Sequence, residues 1–210
     1  QNGLKSLFSI LLERAIKLIK LAAASGANAA KFQNFLARTI VSRKGFQELG
    51  KKLAHQSKWE SDVYSVYEEA ELAWAWTEEL AATCQEHGID YFTAPYDLDF
   101  IDKYGHLMDV FKIGSGDITW EESLLKLAES KKYIFLATGA SSLEDIQRAL
   151  HILSKSKEPI VLMQCNTNYT GVYENFRNLN LRVLSTFSEH FPNVIPGLSD
   201  HTPGHIAVLG

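Results

Sequence analysis

Six short apolar runs, each of which ends in polar residues, constrain the fold of this chain more than any other feature of its sequence. They cover residues 27–35, 89–97, 109–117, 133–140, 159–167 and 194–202. Within each run the apolar residues are nearly continuous, which is typical of strands that are covered on both faces. Helical patterns separate the runs. Strands that alternate with helices predict right-handed βαβ units and a parallel sheet.

Two helices are indicated by the spacing of apolar and charged residues. The stretch 4–24 is apolar but interrupted by charges, which predicts an amphipathic helix rather than a signal peptide. Residues 68–88 predict one long amphipathic helix that ends at Gly88, a residue suited to the left-handed position after a helix.

Two further helix starts are marked by the spacing of a capping box. Thr119 is followed by Glu122, and Ser141 is followed by Glu144. In such a box the hydroxyl and the carboxylate satisfy backbone N–H groups at the start of a helix. We therefore expect one helix to begin after Thr119 and another after Ser141.

The number of strand–helix units predicts an α/β fold in the form of an incomplete TIM (β/α)8 barrel. A closed barrel needs eight units and typically about 250 residues. This chain of 210 residues shows six units and no convincing first strand. We therefore expect one partial barrel domain over residues 1–210, with two strand edges that are open to pairing and aggregation.

Composition argues against two classes of partner. The formal net charge is −4, so the chain lacks the basic excess of a nucleic-acid-binding surface. No apolar run reaches the length of about 18 residues that a membrane span needs. Cys84 lies in a helical pattern and Cys165 in an apolar run, which favours buried, unpaired thiols and a reducing, cytoplasmic setting.

The polar residues at the ends of the runs predict a ligand site, because ligands bind at the carboxyl ends of the strands in parallel α/β folds. These residues are Lys31, Gln33, Thr93, Tyr96, Lys112, Ser115, Asp117, Thr138, Asn166, Asn168, Tyr169, Ser199, Asp200 and His201. Any one of them alone has an ordinary structural explanation, such as a helix cap. Their recurrence after every run favours a functional site.

Two lysines within apolar runs, Lys31 and Lys112, carry the most information about the ligand. Burying an ammonium group is costly unless an anion accompanies it. The small-residue loops at 114–116 and 138–142 leave backbone N–H groups available for phosphate oxygens. The sequence therefore predicts a small anionic, phosphorylated substrate at the mouth of a parallel barrel.

Six motifs, in order, resemble the sialic acid synthase family over residues 11–210. They are "KFQ" (31–33), "FTAPYD" (92–97), "FKIGSGD" (111–117), "ATG" (137–139), "CNTNY" (165–169) and "GLSDHTPGH" (197–205). The resemblance implies a TIM-barrel catalytic domain that condenses phosphoenolpyruvate with an N-acetylated hexose, such as N-acetylmannosamine. The products would be a nine-carbon sialic acid and phosphate. It also implies a divalent metal, Mn or Mg, and homodimers in the full-length family.

Carried over to this chain, the resemblance implies three catalytic residues. Lys31 and Lys112 would pair with the phosphate and carboxylate of phosphoenolpyruvate, and Asp117 falls at the position of the family's key carboxylate. His201 would be a metal ligand. The residues expected to bind substrate are Thr93, Ser115, Thr138, Asn166, Thr167, Tyr169 and Ser199.

The chain also departs from the family's pattern. Asp117 stands where the family usually has Glu, and Ala137 where it usually has Ser. The family's motif after its first strand is not intact, and residues 1–3 are only a partial echo of it. A nearby acidic residue has no clear counterpart, and residues 1–210 contain neither the family's second metal-binding His nor its C-terminal antifreeze-like domain. We therefore expect little or no turnover from this chain by itself.

Two alternatives stay open, and so does the sugar. A non-catalytic homologue or gene fragment would keep the barrel core without turnover. Another phosphoenolpyruvate-dependent or aldolase-type barrel would keep Lys31 and Lys112, but it would not explain the motifs at 165–169 and 197–205. N-acetylmannosamine and the diacetamido sugars that lead to legionaminic or pseudaminic acid are all compatible with the sequence.

Overall fold

A parallel sheet of six strands, in the order β1-β2-β3-β4-β5-β6, forms the centre of the molecule. A computed structural model describes residues 2–48, 59–156, 158–169 and 171–209. The strands are β1 (Ala29–Asn34), β2 (Asp90–Pro95), β3 (Val110–Ile113), β4 (Tyr133–Ala137), β5 (Ile160–Cys165) and β6 (Ile195–Ser199). Each lies inside one predicted run, and within the described residues β1 and β6 are open edges. The predicted α/β class and incomplete barrel are confirmed.

Helices connect successive strands, as right-handed βαβ units require. They are α1 (Asn2–Ala24), α2 (Ala37–Ile40), α3 (Arg43–Glu48), α4 (Val63–Glu69), α5 (Thr77–Glu86), α6 (Leu98–Tyr104), α7 (Glu121–Glu129), α8 (Leu143–Leu153), α9 (Val183–His190) and α10 (Ile206–Leu209), with 3₁₀ turns at Trp74–Trp76, Gly105–Leu107 and Tyr173–Asn178. Helix α1 confirms the amphipathic helix predicted over 4–24. No described helix combines the length and the apolar character that crossing a membrane requires.

The single long helix predicted over 68–88 is wrong. Helix α4 ends at Glu69 and α5 begins only at Thr77. Tertiary contacts explain the break: a Glu71 carboxylate oxygen accepts a 2.6 Å hydrogen bond from the backbone N–H of Ala37, and the Trp74 ring packs edge-on against Phe100. Such contacts routinely override helix propensity. The predicted end is confirmed, because Gly88 has a φ of +69° just beyond α5.

Of the two predicted capping boxes, the one at Thr119 does not form, and the one at Ser141 is displaced by one residue. Helix α7 has Trp120 at its N-cap without a side-chain cap, because turns over 114–120 occupy this stretch, with the Trp120 N–H bonded to the Asp117 carbonyl. Helix α8 does have a capping box, but its partners are Ser142 and Asp145, one residue beyond the predicted pair. Both helices therefore begin later than the sequence pattern indicated.

The sheet has two faces of different character, since alternate side chains of a strand point to opposite sides. Lys31 is paired with Phe92 in the β1–β2 register, and Thr93 with Phe111 in the β2–β3 register. Lys31, Phe92 and Lys112 therefore share one face, which we call the lysine face. Thr93 and the fully buried Phe111 lie on the other, the helix face, where the apolar core packs against the helices.

Both cysteines, Cys84 and Cys165, are free and buried, as predicted. Cys84 is completely inaccessible in α5 and belongs to the apolar core under the helix face. Burial raises the pKa of its thiol to about 11, so the thiol stays protonated and unreactive at neutral pH. Cys84 is thus a packing residue.

Candidate active site

Lys31 and Lys112 bring two cations to the lysine face of the sheet. Lys112, on the central strand β3, is half-buried, and burial lowers the pKa of its ammonium group. Lys31 is a solvent-exposed residue on the edge strand β1, but burial around its ammonium group and repulsion from Lys112 lower its pKa to about 8. A bound anion would offset the repulsion between the two ammonium groups and favour their charged forms.

Asp117 lies in the turn that follows β3, on the same side of the molecule. Burial raises the pKa of its carboxyl group to about 6, and the Lys112 charge opposes that shift. Gly114 makes room for this carboxylate. A methyl group on Gly114 would come within 2.8 Å of Asp117 Oδ2 and 3.0 Å of the Tyr96 hydroxyl. The site therefore contains a carboxylate that is ionised at neutral pH but easily protonated.

Tyr96 and Gln33 contribute a hydrogen bond that the residue assignments from sequence missed. The Gln33 amide Nε2 donates to the Tyr96 hydroxyl at 3.1 Å, across strands β1 and β2. Burial, followed by the charge of Asp117, raises the pKa of Tyr96 to about 12. Both residues stood among the polar run ends, and that position was the available signal. Nothing in the sequence indicated that they meet beside Asp117.

Ser115, Tyr169 and His201 join the site from three different loops. Burial raises the pKa of the Tyr169 hydroxyl, and the neighbouring Ser115 side chain opposes that shift. The Tyr169 and His201 rings meet edge-to-face, with their centroids 4.6 Å apart. Burial and the charge of Lys112 lower the pKa of His201, so its imidazole is neutral at physiological pH.

A cavity of about 440 Å³ opens beside Asp117. Its lining includes Tyr96, Ser115, Asp117 and Tyr169, with Phe46 from α3 on the side of the sheet edge. The volume falls within the range of about 300–1,000 Å³ that is typical of small-molecule sites. The carboxylate, the hydroxyl groups and the apolar wall suit a polar ligand that carries some apolar surface.

Three of the predicted substrate-binding residues have their side chains engaged within the protein. The Thr93 hydroxyl, on the helix face, donates to Asn34 Oδ1 at 2.6 Å. The Thr138 hydroxyl donates to the Met163 carbonyl at 3.1 Å. The Asn166 amide donates to Asn175 Oδ1 at 2.9 Å. The structure does not bring these polar groups into the cluster around Asp117, and their contact with substrate stays a prediction.

Ser199 and Thr167 take positions at the two sides of the site. Ser199 is buried at the end of β6 and, through its register with Cys165, lies on the lysine face. Thr167 is exposed, and its methyl group lies near Gly139. Gly139 has a φ of +54°, and an added Cβ would come within 2.5 Å of the Ser115 Cβ. Gly139 therefore allows the β4 loop to pack closely against Ser115.

Replacing Gly139 with Ala should destabilise the protein by about 2–4 kcal/mol, from left-handed backbone strain and overpacking. Urea unfolding followed by circular dichroism measures the change. Gly116→Ala is the matched control, because nothing lies within 4 Å of its added Cβ. We expect the control to stay within about 1 kcal/mol of the wild type. Equal midpoints for the two variants would contradict the close packing at Gly139.

The residues present do not fit a complete metal site. Within the described parts of the chain, no group of three or more His, Cys, Asp and Glu side chains is arranged to hold an ion. His201 is one possible ligand, and its charged neighbours are two cations, Lys112 and Lys31, and one carboxylate, Asp200. A metal bound at His201 stays a proposal that needs further ligands, and none of the chemical steps below is assigned to one.

Comparison with known proteins identifies relatives over most of the chain. The model of the NeuB family matches residues 18–210. The N,N'-diacetyllegionaminic acid synthase of Campylobacter jejuni is 34% identical over 205 residues, which are 94% of this chain and 59% of that protein. The human N-acetylneuraminate-9-phosphate synthase is 26% identical, over 92% of this chain and 52% of that protein. The chain thus spans little more than half the length of these relatives.

Solved structures of similar fold include a member of the same group of enzymes. The N-acetylneuraminic acid (sialic acid) synthetase of Leptospira borgpetersenii, in complex with citrate, matches with a TM-score of 0.78 and 25% identity. This match covers 94% of our chain and 63% of that one. A truncated 3-deoxy-D-arabino-heptulosonate 7-phosphate synthase from Thermotoga maritima matches with a TM-score of 0.52 at 13% identity, which supports the fold alone.

Proposed function

The chain belongs to the NeuB family, and from that premise we propose that it forms the catalytic barrel of a sialic-acid-type synthase. The reaction would join phosphoenolpyruvate to an N-acylated hexose and release phosphate. One observation carries the proposal: two lysines with lowered pKa values and a carboxylate with a raised pKa lie together at the carboxyl end of a parallel sheet. Two relatives support it, an N,N'-diacetyllegionaminic acid synthase and an N-acetylneuraminate-9-phosphate synthase.

The lysine face is suited to phosphoenolpyruvate, which carries a carboxylate and a phosphate. Each anionic group would pair with one ammonium group, Lys112 or Lys31. Charge-assisted hydrogen bonds of this kind are about twice as strong as neutral ones. The Lys31 pKa of about 8 would rise on binding, because the anion offsets the repulsion from Lys112. The free protein should therefore bind phosphoenolpyruvate more weakly as the pH rises above that value.

Asp117 is suited to the step in which water enters. Carbon C3 of phosphoenolpyruvate would attack the aldehyde carbon of the open-chain sugar and form the new C–C bond. Positive charge then develops at C2, and a water oxygen adds there while its proton passes to the Asp117 carboxylate. Cleavage of the C2–O bond to phosphate gives the 2-keto acid. A carboxyl pKa of about 6 leaves Asp117 ionised and ready to accept this proton.

The test is phosphate release from phosphoenolpyruvate, with and without Mn²⁺. The sugars are N-acetylmannosamine, its 6-phosphate and a 2,4-diacetamido hexose, and calorimetry measures phosphoenolpyruvate binding in parallel. Residues 1–210 alone should show little or no release. In a full-length barrel that carries these residues, we expect sugar-dependent phosphate release with at least one of the sugars. Binding without release would favour the non-catalytic homologue, and a lack of phosphoenolpyruvate binding would remove the proposal. Formation of homodimers stays a prediction, which the elution volume of the same samples checks.

A further inference from the structure

Tyr96 and Asp117 direct their oxygen atoms at the same small volume beside Gly114. A methyl group on Gly114 would lie 3.0 Å from the Tyr96 hydroxyl and 2.8 Å from Asp117 Oδ2. Two oxygen atoms so placed are close enough for a single water molecule to bridge them, and such a bridge is nearly as favourable as a direct hydrogen bond. The phenol and the carboxylate are therefore neighbours, although they come from different strands.

The hydrogen bond from Gln33 determines what the Tyr96 hydroxyl can do. A phenol group has one proton to donate and can also accept. Gln33 Nε2 is a donor at 3.1 Å, so the Tyr96 oxygen accepts there and keeps its own proton for another acceptor. With a pKa of about 12 the phenol stays protonated at neutral pH. Tyr96 is thus a hydrogen-bond donor, and Asp117 is the carboxylate whose charge acts on it.

The other groups around Asp117 have different roles. Lys112, from β3, supplies a positive charge, and Tyr169, after β5, has the Ser115 side chain beside its hydroxyl. The Tyr96 ring is held by an edge-to-face contact with Phe35, with centroids 6.4 Å apart. Tyr67 of α4 is a further titratable neighbour on the Tyr96 side. Tyr96 is therefore fixed by the scaffold next to the carboxylate.

We propose that Tyr96 is a positioning residue for Asp117: its hydroxyl donates a hydrogen bond to one bridging water, which in turn binds the carboxylate and orients it toward the attacking water. Gln33 sets the direction of that bond. In the step concerned, the water oxygen bonds to C2, its proton passes to Asp117, and Tyr96 keeps its own proton. The inference rests on the proposed function, because it deepens the role given there to Asp117.

The test is a titration of Asp117 by ¹³C NMR in protein labelled at aspartate carboxyl carbons, with Asp117→Asn to assign the signal. Tyr96→Phe removes only the hydroxyl. Loss of a hydrogen bond to the charged form should raise the midpoint of the Asp117 titration by about one pH unit. Tyr91→Phe, near the start of β2, the strand that Tyr96 follows, is the matched control and should leave the midpoint unchanged. Superimposable titrations of Tyr96→Phe and the wild type would overturn the proposal.

The titration needs no turnover, so it separates this inference from the proposed function. A shifted midpoint in a protein that releases no phosphate would keep the positioning role and reject the synthase activity. Where turnover occurs, Tyr96→Phe should lower kcat about tenfold and leave the KM for phosphoenolpyruvate unchanged, and a change confined to KM would count against the proposal. If Tyr96→Phe fails to fold, Gln33→Met replaces it, with a smaller upward shift expected and an unchanged midpoint as the contrary result.

Discussion

In a full-length barrel that carries these residues, replacing Lys112 with Met should abolish sugar-dependent phosphate release, with kcat/KM for phosphoenolpyruvate falling about 100-fold or more. Truncating one partner of a buried charge pair costs about 2–5 kcal/mol, much of it from leaving the other charge unpaired. Met keeps the length and apolar stem of the side chain, so the packing on β3 should survive. Because burial already lowers the Lys112 pKa in the free protein, the variant should fold at least as well as the wild type. Coupled phosphate release and urea unfolding measure the two effects.

The matched control is Lys132→Met. Lys132 precedes β4 and forms a 3.1 Å ion pair with Asp109, away from the carboxyl ends of the strands. A surface pair of this kind is worth about 0–1 kcal/mol, so the control should keep full turnover. Near-normal activity in Lys112→Met would remove the substrate role proposed for this lysine. An equal loss in both variants would assign the effect to net charge rather than to the site.

The order and the ends of the strands could be predicted from sequence because a parallel strand is a local signal. Each strand needs a short apolar run, and the polar residues that follow the run mark its carboxyl end. Strand β3 is the example: it ends at Ile113, and Asp117 follows in the next turn. The face to which a side chain points is much harder to predict. A difference of one residue moves a side chain to the opposite face. Phe92 lies on the lysine face, so the next residue, Thr93, points its hydroxyl to the helix face, where it contacts Asn34.

Contacts between distant parts of the chain account for the other differences. The prediction of one long helix over 68–88 did not include the contact of Glu71, whose carboxylate accepts a hydrogen bond from the backbone of α2. The convergence of Gln33, Tyr96 and Gly114 beside Asp117 joins three strands. No local pattern encodes it, because each residue has an ordinary explanation at its own place in the sequence. Only the register of the sheet brings them together.

Replacing Asp117 with Asn should lower kcat by about 10²–10⁴-fold, the usual contribution of a general base. Asn keeps the shape of the side chain and removes its ability to accept a proton. In the wild type, activity should rise as Asp117 ionises near pH 6, and this acid limb should be absent from the residual activity of the variant. Rate measurements between pH 5 and pH 8 test both statements. If the acid limb of the pH–activity profile is unchanged in Asp117→Asn, the titrating group is not Asp117.

The same substitution should change how stability depends on pH. The Asp117 pKa rises from 3.8 in the unfolded chain to about 6 in the folded protein, so the folded state binds more protons between these values. By linkage, the contribution of Asp117 to the free energy of unfolding therefore falls as the pH rises from about 4 to about 6. Asp117→Asn should lack this decrease, whereas the exposed Asp109→Asn, as control, should keep it. Parallel stability curves for Asp117→Asn and the wild type would show that burial does not hold a proton on this carboxylate.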